Sequence, residues 1–340
     1  MIKKLLPLLL ISLSACTTFK PFYTGQKSDH FDGAKFIPKS HTNFFTDARF
    51  LFTNQDSWSG DKEETIPPKF YANLPVDKAR VAFVGHSSFL IQIADTNILT
   101  DPIWSERAGP ITLPFFSPKR HNPPAISFND LPKIDYVLLS HSSYYHMDIP
   151  TIKKLRKKFN SVFVTGLGNC YYLNRVKNLD LRCFELDWNQ VMTLPNNLKF
   201  HFLTAQNWSQ RSWLDRNKTL WGSFLISGEN FKIYFAGDSG YANHFKEIGE
   251  KFEPIDLALL PIGSYEPRWR MKKHHMNPQE AVQAHLDLKV KKSIGMHFNT
   301  FQTSDEGYYD AENAVALAKK KYVAKEDEFI VPKFGEVFAF

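Results

Sequence analysis

Four short apolar runs in this chain stop at residues able to ligate a metal or hydrogen-bond a ligand. Asp135 to Ser140 reads as a buried strand that runs straight into His141, with His146 in the same loop. Leu198 to Thr204 precedes Asn207, Phe231 to Ala236 precedes Asp238, and Lys292 to His297 ends on its histidine. Apolar runs of this length, bounded by turn residues, predict buried strands. A lone histidine at a strand end is more often structural than functional. Several such ends in one chain point to a sheet whose loops gather at one edge, where function concentrates.

The rest of the pattern fits that frame. Arg80 to Phe83 and Phe89 to Ile93 are strand-like and flank Gly85-His86-Ser87-Ser88; Asn97 to Thr100 ends at Asp101-Pro102. Asp148 is a predicted helix N-cap with Pro150 in the first turn, and Ile152, Leu155 and Phe159 follow at helical spacing. Ser161 to Thr165, Leu220 to Ser227 and Leu257 to Pro261 are further strands, and Gly228-Glu229-Asn230 closes a tight hairpin. Helices are predicted over Pro278 to Leu288 and Ala311 to Lys321. Strands dominate the first half and alternate with helices in the second, which predicts a layered α/β domain with two sheets. Residues 17 to about 75 carry scattered aromatics without periodicity, such as Phe44-Phe45 and Phe50-Leu51-Phe52. They read as a tether and an extension that packs on the main domain. The organisation is therefore 1–15 signal, 16–78 tether and extension, and 79–340 main domain.

Lys3 and Lys4 precede a short apolar stretch, Leu5 to Leu13, and Leu13-Ser14-Ala15-Cys16 follows. This is a secretory signal, too short to span a bilayer as a mature helix. The last four residues resemble a bacterial lipobox, in which Cys16 becomes the acylated first residue. Thr17 in place of Asp implies the outer membrane, by analogy with bacterial sorting. Several acyl chains on one residue give firm anchoring. The net charge of +7 includes two lysines of this signal. No basic run with interleaved aromatics is present, which argues against a nucleic-acid partner. Cys170 and Cys183 then remain. They can pair in an oxidising compartment only if the fold brings their Cα atoms within about 7 Å. No CxxC occurs, which argues against a thiolate zinc site.

Specific runs carry a resemblance over residues 79 to 340. They include Gly85-His86-Ser87-Ser88-Phe89-Leu90, Leu99-Thr100-Asp101-Pro102, Leu139-Ser140-His141 and Ala205-Gln206-Asn207-Trp208-Ser209 with Arg211. Phe235-Ala236-Gly237-Asp238-Ser239-Gly240-Tyr241, Tyr265-Glu266-Pro267-Arg268-Trp269, Asn277-Pro278 and Gly295-Met296-His297 complete the order. The chain resembles metallo-β-lactamase-fold hydrolases. Within them it is similar to the branch of phospholipases D that hydrolyse N-acylphosphatidylethanolamines, with their bacterial lipoprotein relatives. The resemblance implies a four-layer αββα sandwich and a lipid substrate.

It also implies a two-zinc centre, whose loop reads His-x-His-x-Asp-His in the family. Here that loop is His141-Ser142-Ser143-Tyr144-Tyr145-His146. Ser143 replaces the middle histidine, Tyr145 the aspartate, and Asn207 a further family histidine. His141, His146, the bridging Asp238 and His297 are kept. Hydroxyl and amide groups are neutral, weak zinc ligands. The first metal position therefore keeps only His141. The second keeps His146, His297 and Asp238, enough for one zinc or other divalent ion. His86 and Asp101 match family positions behind the ligands, where the aspartate orients an imidazole or forms a turn.

Other candidates are weaker. Arg268 with Glu266 is read as an internal ion pair rather than a contact to lipid phosphate. His275, beside His274, lines the cleft or is solvated. Gly166-Leu167-Gly168 is a turn, not a dinucleotide loop.

Three functional readings follow. The first is an envelope-anchored, single-metal hydrolase of a phosphodiester or other ester. In it Asp238 is both ligand and water-orienter, and His141 acts as acid, base or weak ligand. The second is a pseudoenzyme that binds a lipid or protein in the old cleft, with no metal. The third recruits His201, His244 or His275 as a ligand, which nothing in their spacing supports.

Overall fold

The computed structural model describes residues 21–39, 58, 65–66, 78–109, 117–176, 180–212, 214–322, 325 and 327–339. The signal, Cys16 and the Phe44-Phe45 and Phe50 to Phe52 runs lie outside the described residues. In chain order the elements are β1 (Ala79–Gly85), β2 (Ser88–Ile93), β3 (Thr96–Thr100), β4 (Tyr136–Leu139), α1 (Ile149–Phe159) and β5 (Val162–Gly166). Then come α2 (Cys170–Leu173), β6 (Arg182–Leu186), β7 (Val191–Thr193), β8 (Lys199–Leu203), β9 (Ser223–Ser227), β10 (Lys232–Phe235) and α3 (His244–Phe252). The chain continues through β11 (Ile255–Pro261), α4 (Arg268–Met271), α5 (Pro278–Asp287), β12 (Val290–Met296), α6 (Asp310–Tyr322), β13 (Phe329–Ile330) and β14 (Val337–Ala339).

Among the described residues the strands form two seven-stranded sheets, ordered β14-β1-β2-β3-β4-β5-β6 and β13-β12-β11-β10-β9-β8-β7. Each sheet is antiparallel at one side and parallel at the other: β3 to β6 run parallel, as do β10 to β13. The sheets face each other across a core that includes Phe83, Phe89 and Ile91 from the first and Phe200, Phe202 and Phe224 from the second. Ile152 and Leu155 of α1 cover the outer face of the first sheet over Leu90, Leu99 and Val137. On the second sheet α5 lies against β11 and β12, with α3 and α6 beside it. The result is the αββα sandwich. Because both faces of the central strands are covered, Ile233, Tyr234 and Phe235 are all buried.

Local chemistry accounts for several element ends. Asn277 and Glu280 close a reciprocal capping box on α5, and Pro278 starts its first turn. Asp148 begins α1, but its carboxylate bonds Ser105 and the Thr151 hydroxyl instead of the helix backbone. The strand expected from Leu220 begins only at Ser223. Leu220 and Gly222 instead donate their N–H groups to Leu167 and Ser140, loops of the other sheet. Cys170 and Cys183 form a disulfide between α2 and β6, with Cα atoms 5.9 Å apart. In the N-terminal segment Phe22 stacks on Tyr171 at 3.7 Å between ring centres, and Phe31 and Phe36 are buried. No helix among the described residues is long and apolar enough to cross a membrane.

Candidate metal centre

The loops after β3, β4, β10, β11 and β12 meet at one edge of the sandwich, at the carboxyl ends of the parallel strands, where open α/β sheets place their ligand crevices. They surround a cavity of about 280 Å³ whose lining includes His141, Asp238, His275 and His297. A larger hollow of about 800 Å³ opens at the opposite edge, around Asn196 and Gly228, and is lined largely by turn residues.

Asp101 ends β3 with a backbone φ of +31° and is fully buried. Its carboxylate accepts the Ser140 N–H at 2.7 Å and the Ser140 hydroxyl at 2.5 Å, and faces His146 Nδ1 at 2.7 Å. This fixes the imidazole so that Nε2 points at Asp238 Oδ2, 2.9 Å away. A carboxylate behind an imidazole is how metal-binding histidines are commonly held. His297 Nε2 lies 3.2 Å from the other Asp238 oxygen, and His141 Nε2 lies 3.7 Å from Oδ2. The His86 backbone carbonyl accepts the His297 N–H at 2.8 Å, and both residues adopt left-handed φ values.

Unpartnered buried atoms cluster here. Neither ring nitrogen of His86 has a hydrogen-bond partner, nor do His146 Nε2, Asp238 Oδ1, His275 Nδ1 and His297 Nδ1. The His146–Asp238 approach is close but lacks hydrogen-bond geometry. Buried donors and acceptors are normally satisfied, so this convergence marks a ligand position. Ligand atoms of His86, His146 and His297 fall within 4.8 Å of one another, as do those of Asp238, His275 and His297. Electrostatics agree with the geometry. Burial works against the Asp238 carboxylate, yet His146 and His297 hold it well below the usual carboxylate range. Burial drives His86 and His275 well below the ordinary imidazole value and His141 down to about 3, so these rings are neutral donors at neutral pH.

The residues around His146, Asp238 and His297 therefore fit one divalent ion. Beside His141, Ser143 and Asn207 line the cavity with neutral groups, which are weak zinc ligands. Tyr145 lines the same cavity and packs against Phe301 at 5.6 Å between ring centres.

Residues 96–298 match the profile of the beta-lactamase superfamily domain. The chain belongs to that superfamily. N-acyl-phosphatidylethanolamine-hydrolyzing phospholipase D 1 of Caenorhabditis elegans is 34% identical over 269 residues, covering 75% of this chain and 74% of that protein. Outer membrane protein RomA of Klebsiella pneumoniae is 45% identical over 102 residues, 30% of this chain and 75% of the relative. The structure of Igni18, a metallo hydrolase of Ignicoccus hospitalis, superposes with a TM-score of 0.57 at 21% identity, over 77% of this chain and 98% of that one. The fold is thus the metallo-β-lactamase fold, in the branch resembling the N-acylphosphatidylethanolamine-hydrolysing phospholipases D.

Against this superfamily background, some sequence expectations need correcting. Arg268 does not pair with the Glu266 side chain by ion pairing. Its guanidinium meets Glu280 at 2.7 Å, while Glu266 accepts the Arg268 backbone N–H at 2.8 Å. His275 lacked any support from spacing, yet it stands in one donor group with Asp238 and His297. His201 instead faces Ser227 at 3.0 Å, and His244 faces Ser239 at 3.2 Å. His86 stands in a second group with His146 and His297, outside the cavity lining. One signal was available for His275. It lies between β11 and α5, and a loop that follows a parallel strand emerges at the ligand edge.

Proposed function

We propose that this chain is a single-metal hydrolase of the cell envelope that cleaves a phosphodiester or other ester of a lipid. The observation that carries the reading is the buried Asp238 carboxylate held between His146 and His297 at 2.9 and 3.2 Å. A divalent ion bound there would supply Lewis-acid polarisation and a water of lowered pKa. His146, Asp238 and His297 would hold it. Asp101 keeps His146 in the tautomer that turns Nε2 inward. His141, neutral and held by Ser140 Oγ at 2.9 Å from Nδ1, is placed to accept a proton on Nε2 beside Asp238. The lipid substrate is supported by the named activity of the Caenorhabditis elegans relative. The envelope location is supported by the lipobox-like Leu13 to Cys16 and by the name of the Klebsiella pneumoniae relative.

The test uses full-length protein, zinc or manganese, and vesicles containing N-acylphosphatidylethanolamine. Release of phosphatidic acid by the parent and its loss in His297→Ala is expected. Equal release from both would end this reading. Acylation of Cys16, read by mass spectrometry of membrane fractions and abolished in Cys16→Ser, tests the anchor.

A second reading has its own observation. Tyr145, Ser143 and Asn207 give the cavity lining neutral groups beside His141. A cleft of that kind suits a bound lipid that is not turned over. Metal-free protein that retains a lipid through purification, with no hydrolysis under any metal, would favour it.

A further inference from the structure

A short stretch of chain separates the cysteine read as the lipid anchor from a phenylalanine packed at the cavity edge of the sandwich. We infer that Phe22 clasps the anchored N-terminus to this edge, so that the cavity edge, and not an outer face, lies on the bilayer surface that holds Cys16. This rests on the envelope reading above and deepens it, and it is independent of metal count and turnover.

Reach is the first argument. Cys16 and Phe22 are six residues apart, and a chain of that length spans at most about 20 Å. The Phe22 ring stacks on Tyr171 at 3.7 Å between ring centres and meets Tyr172 edge-on at 5.2 Å. Both tyrosines belong to α2, which follows β5, and β5 runs parallel to β4, from whose end His141 emerges. Contacts lead on from Tyr172 to the metal loop. Its hydroxyl donates to Asp215 at 2.8 Å, and the Arg211 guanidinium lies 5.4 Å from its ring centre. Arg211 in turn bonds the carbonyls of Ser142 and Met147.

Fixation is the second. Lys218 Nζ sits 5.6 Å from the Phe22 ring centre. The segment then continues along the same edge. His30 Nε2 faces Asp187 at 2.7 Å and its ring stacks on Trp188 at 4.7 Å, just past the end of β6. The Phe36 N–H donates to Asn217 O at 2.7 Å. The platform under Phe22 is itself pinned, because the Cys170–Cys183 disulfide ties α2 to β6 and Glu185 accepts the Cys170 N–H at 2.6 Å. Stacked and edge-on aromatic pairs add to what burial alone gives.

Surface chemistry is the third. Leu214 and Trp269 are 77% and 50% exposed, on loops whose residues Gln210 and Arg270 line the cavity. Cations at this edge include Arg175, Lys218, Arg270, Lys272 and Lys273. The acid of the Leu214 loop, Asp215, is buried and accepts the N–H groups of Arg211 and Ser212. Tryptophan and basic side chains suit the headgroup level of a phospholipid surface. The competing contact is α1, whose Lys153, Lys154, Lys157 and Lys158 are exposed on the outer face of the first sheet. Its Ile152 and Leu155 are turned into the core, and it lies away from the anchored segment.

The experiment uses the full-length chain, secreted and acylated, in vesicles of phosphatidylethanolamine and phosphatidylglycerol that carry a nitroxide on the headgroup. With Cys170 and Cys183 paired and Cys16 acylated, one added cysteine takes a fluorescent label. The sites are Leu214→Cys at the cavity edge, Glu229→Cys at the opposite edge and Lys157→Cys on α1. The Leu214→Cys label should be quenched several-fold more than the other two. Inserting about ten Gly and Ser residues after Thr18 adds up to ~35 Å of reach, and should bring that quenching down toward theirs. Phe22→Ala should act in the same direction, by less. Strongest quenching of the Glu229→Cys or Lys157→Cys label would overturn the orientation. Quenching unchanged by the insertion would overturn the clasp. Mass spectrometry of Cys16 separates this inference from the reading beneath it. An unacylated chain that leaves the vesicles ends the anchor and the inference together; an acylated chain quenched at another site ends the inference alone. Circular dichroism checks the fold of Phe22→Ala, and the insertion precedes every described residue.

Discussion

The two walls of the cleft have fared differently. One wall is the loop from His141 to Asp148 on the first sheet; the other is the set of loops carrying Asp238, His275 and His297 on the second. In the first wall Ser143 and Tyr145 stand where the resemblance implies a histidine and an aspartate, and the scaffold around them is intact. Arg211 donates to the carbonyls of Ser142 and Met147 at 2.7 and 2.8 Å and stacks over Tyr144. Asp101 still holds Ser140 and His146. The second wall keeps its scaffold and its three donors, although Asn207, which follows β8 of the same sheet, adds a neutral amide beside them. A loop's shape and its ligand chemistry are thus separable: backbone-directed hydrogen bonds set the first, side chains alone set the second.

The comparison can be broken most decisively at Asp238. Asp238→Ala should lower zinc affinity by more than about 100-fold, beyond the cost of losing a supporting partner; chelator competition measures it, and a smaller loss would mean that the carboxylate wall does not hold the ion. The converse test restores the replaced donors on both sides of the cleft. In the triple variant Ser143→His, Tyr145→Asp and Asn207→His, bound metal should rise from about one to about two per chain by elemental analysis. A count that stays at one would show that the loop's shape has changed along with its chemistry.

Smaller effects sharpen the contrast. Arg211→Ala removes two hydrogen bonds from a buried guanidinium and should cost about 3 kcal/mol in urea unfolding, with zinc stoichiometry unchanged. Asp101→Asn should weaken zinc about 10–100-fold with little change in fold, because it frees the His146 ring. The last test probes the back of the second wall by pH. His244 is buried against Ser239, and burial drives its imidazole from 6.5 down to about 3. The native state therefore binds this proton less readily than the unfolded chain. The contribution is full above the unfolded value and is lost as pH falls below about 6.5. At pH 5 this amounts to about 2 kcal/mol. The pH dependence of stability between 7 and 5, compared in parent and His244→Gln, should differ by that amount.

Much of the architecture was legible because it rests on local signals. The Gly228 to Asn230 hairpin and the Asn277-Pro278 helix start are turn and cap chemistry, and the buried strands are uninterrupted apolar runs. Strands β6, β7, β13 and β14 were not foreseen. They are short and partly exposed, so their own residues carry little strand signal; β7 pairs with the adjacent β8, while β6, β13 and β14 depend on partners further away in the chain. In the site, Asp101, His146, Asp238 and His297 were readable through family order. His275 was named as a residue that lines the cleft or is solvated, and spacing alone did not decide between the two, because its approach depends on a contact between Ser239 and Met276, 37 residues apart. The partner of Arg268 was misjudged for a related reason. Glu266 is nearer in sequence, but α5 turns Glu280 back onto the guanidinium.

The backbone bonds from His297 to His86 and from Met276 to Ser239 have a consequence for how the protein meets its metal. They tie the ligand-bearing loops to one another through backbone rather than side chains. Little conformational entropy is then left to lose on binding, so affinity reflects coordination chemistry almost undiluted. The site behaves as a preformed socket. Its metal-free and metal-loaded forms should share one shape, and selection among ions falls to the donors rather than to loop closure.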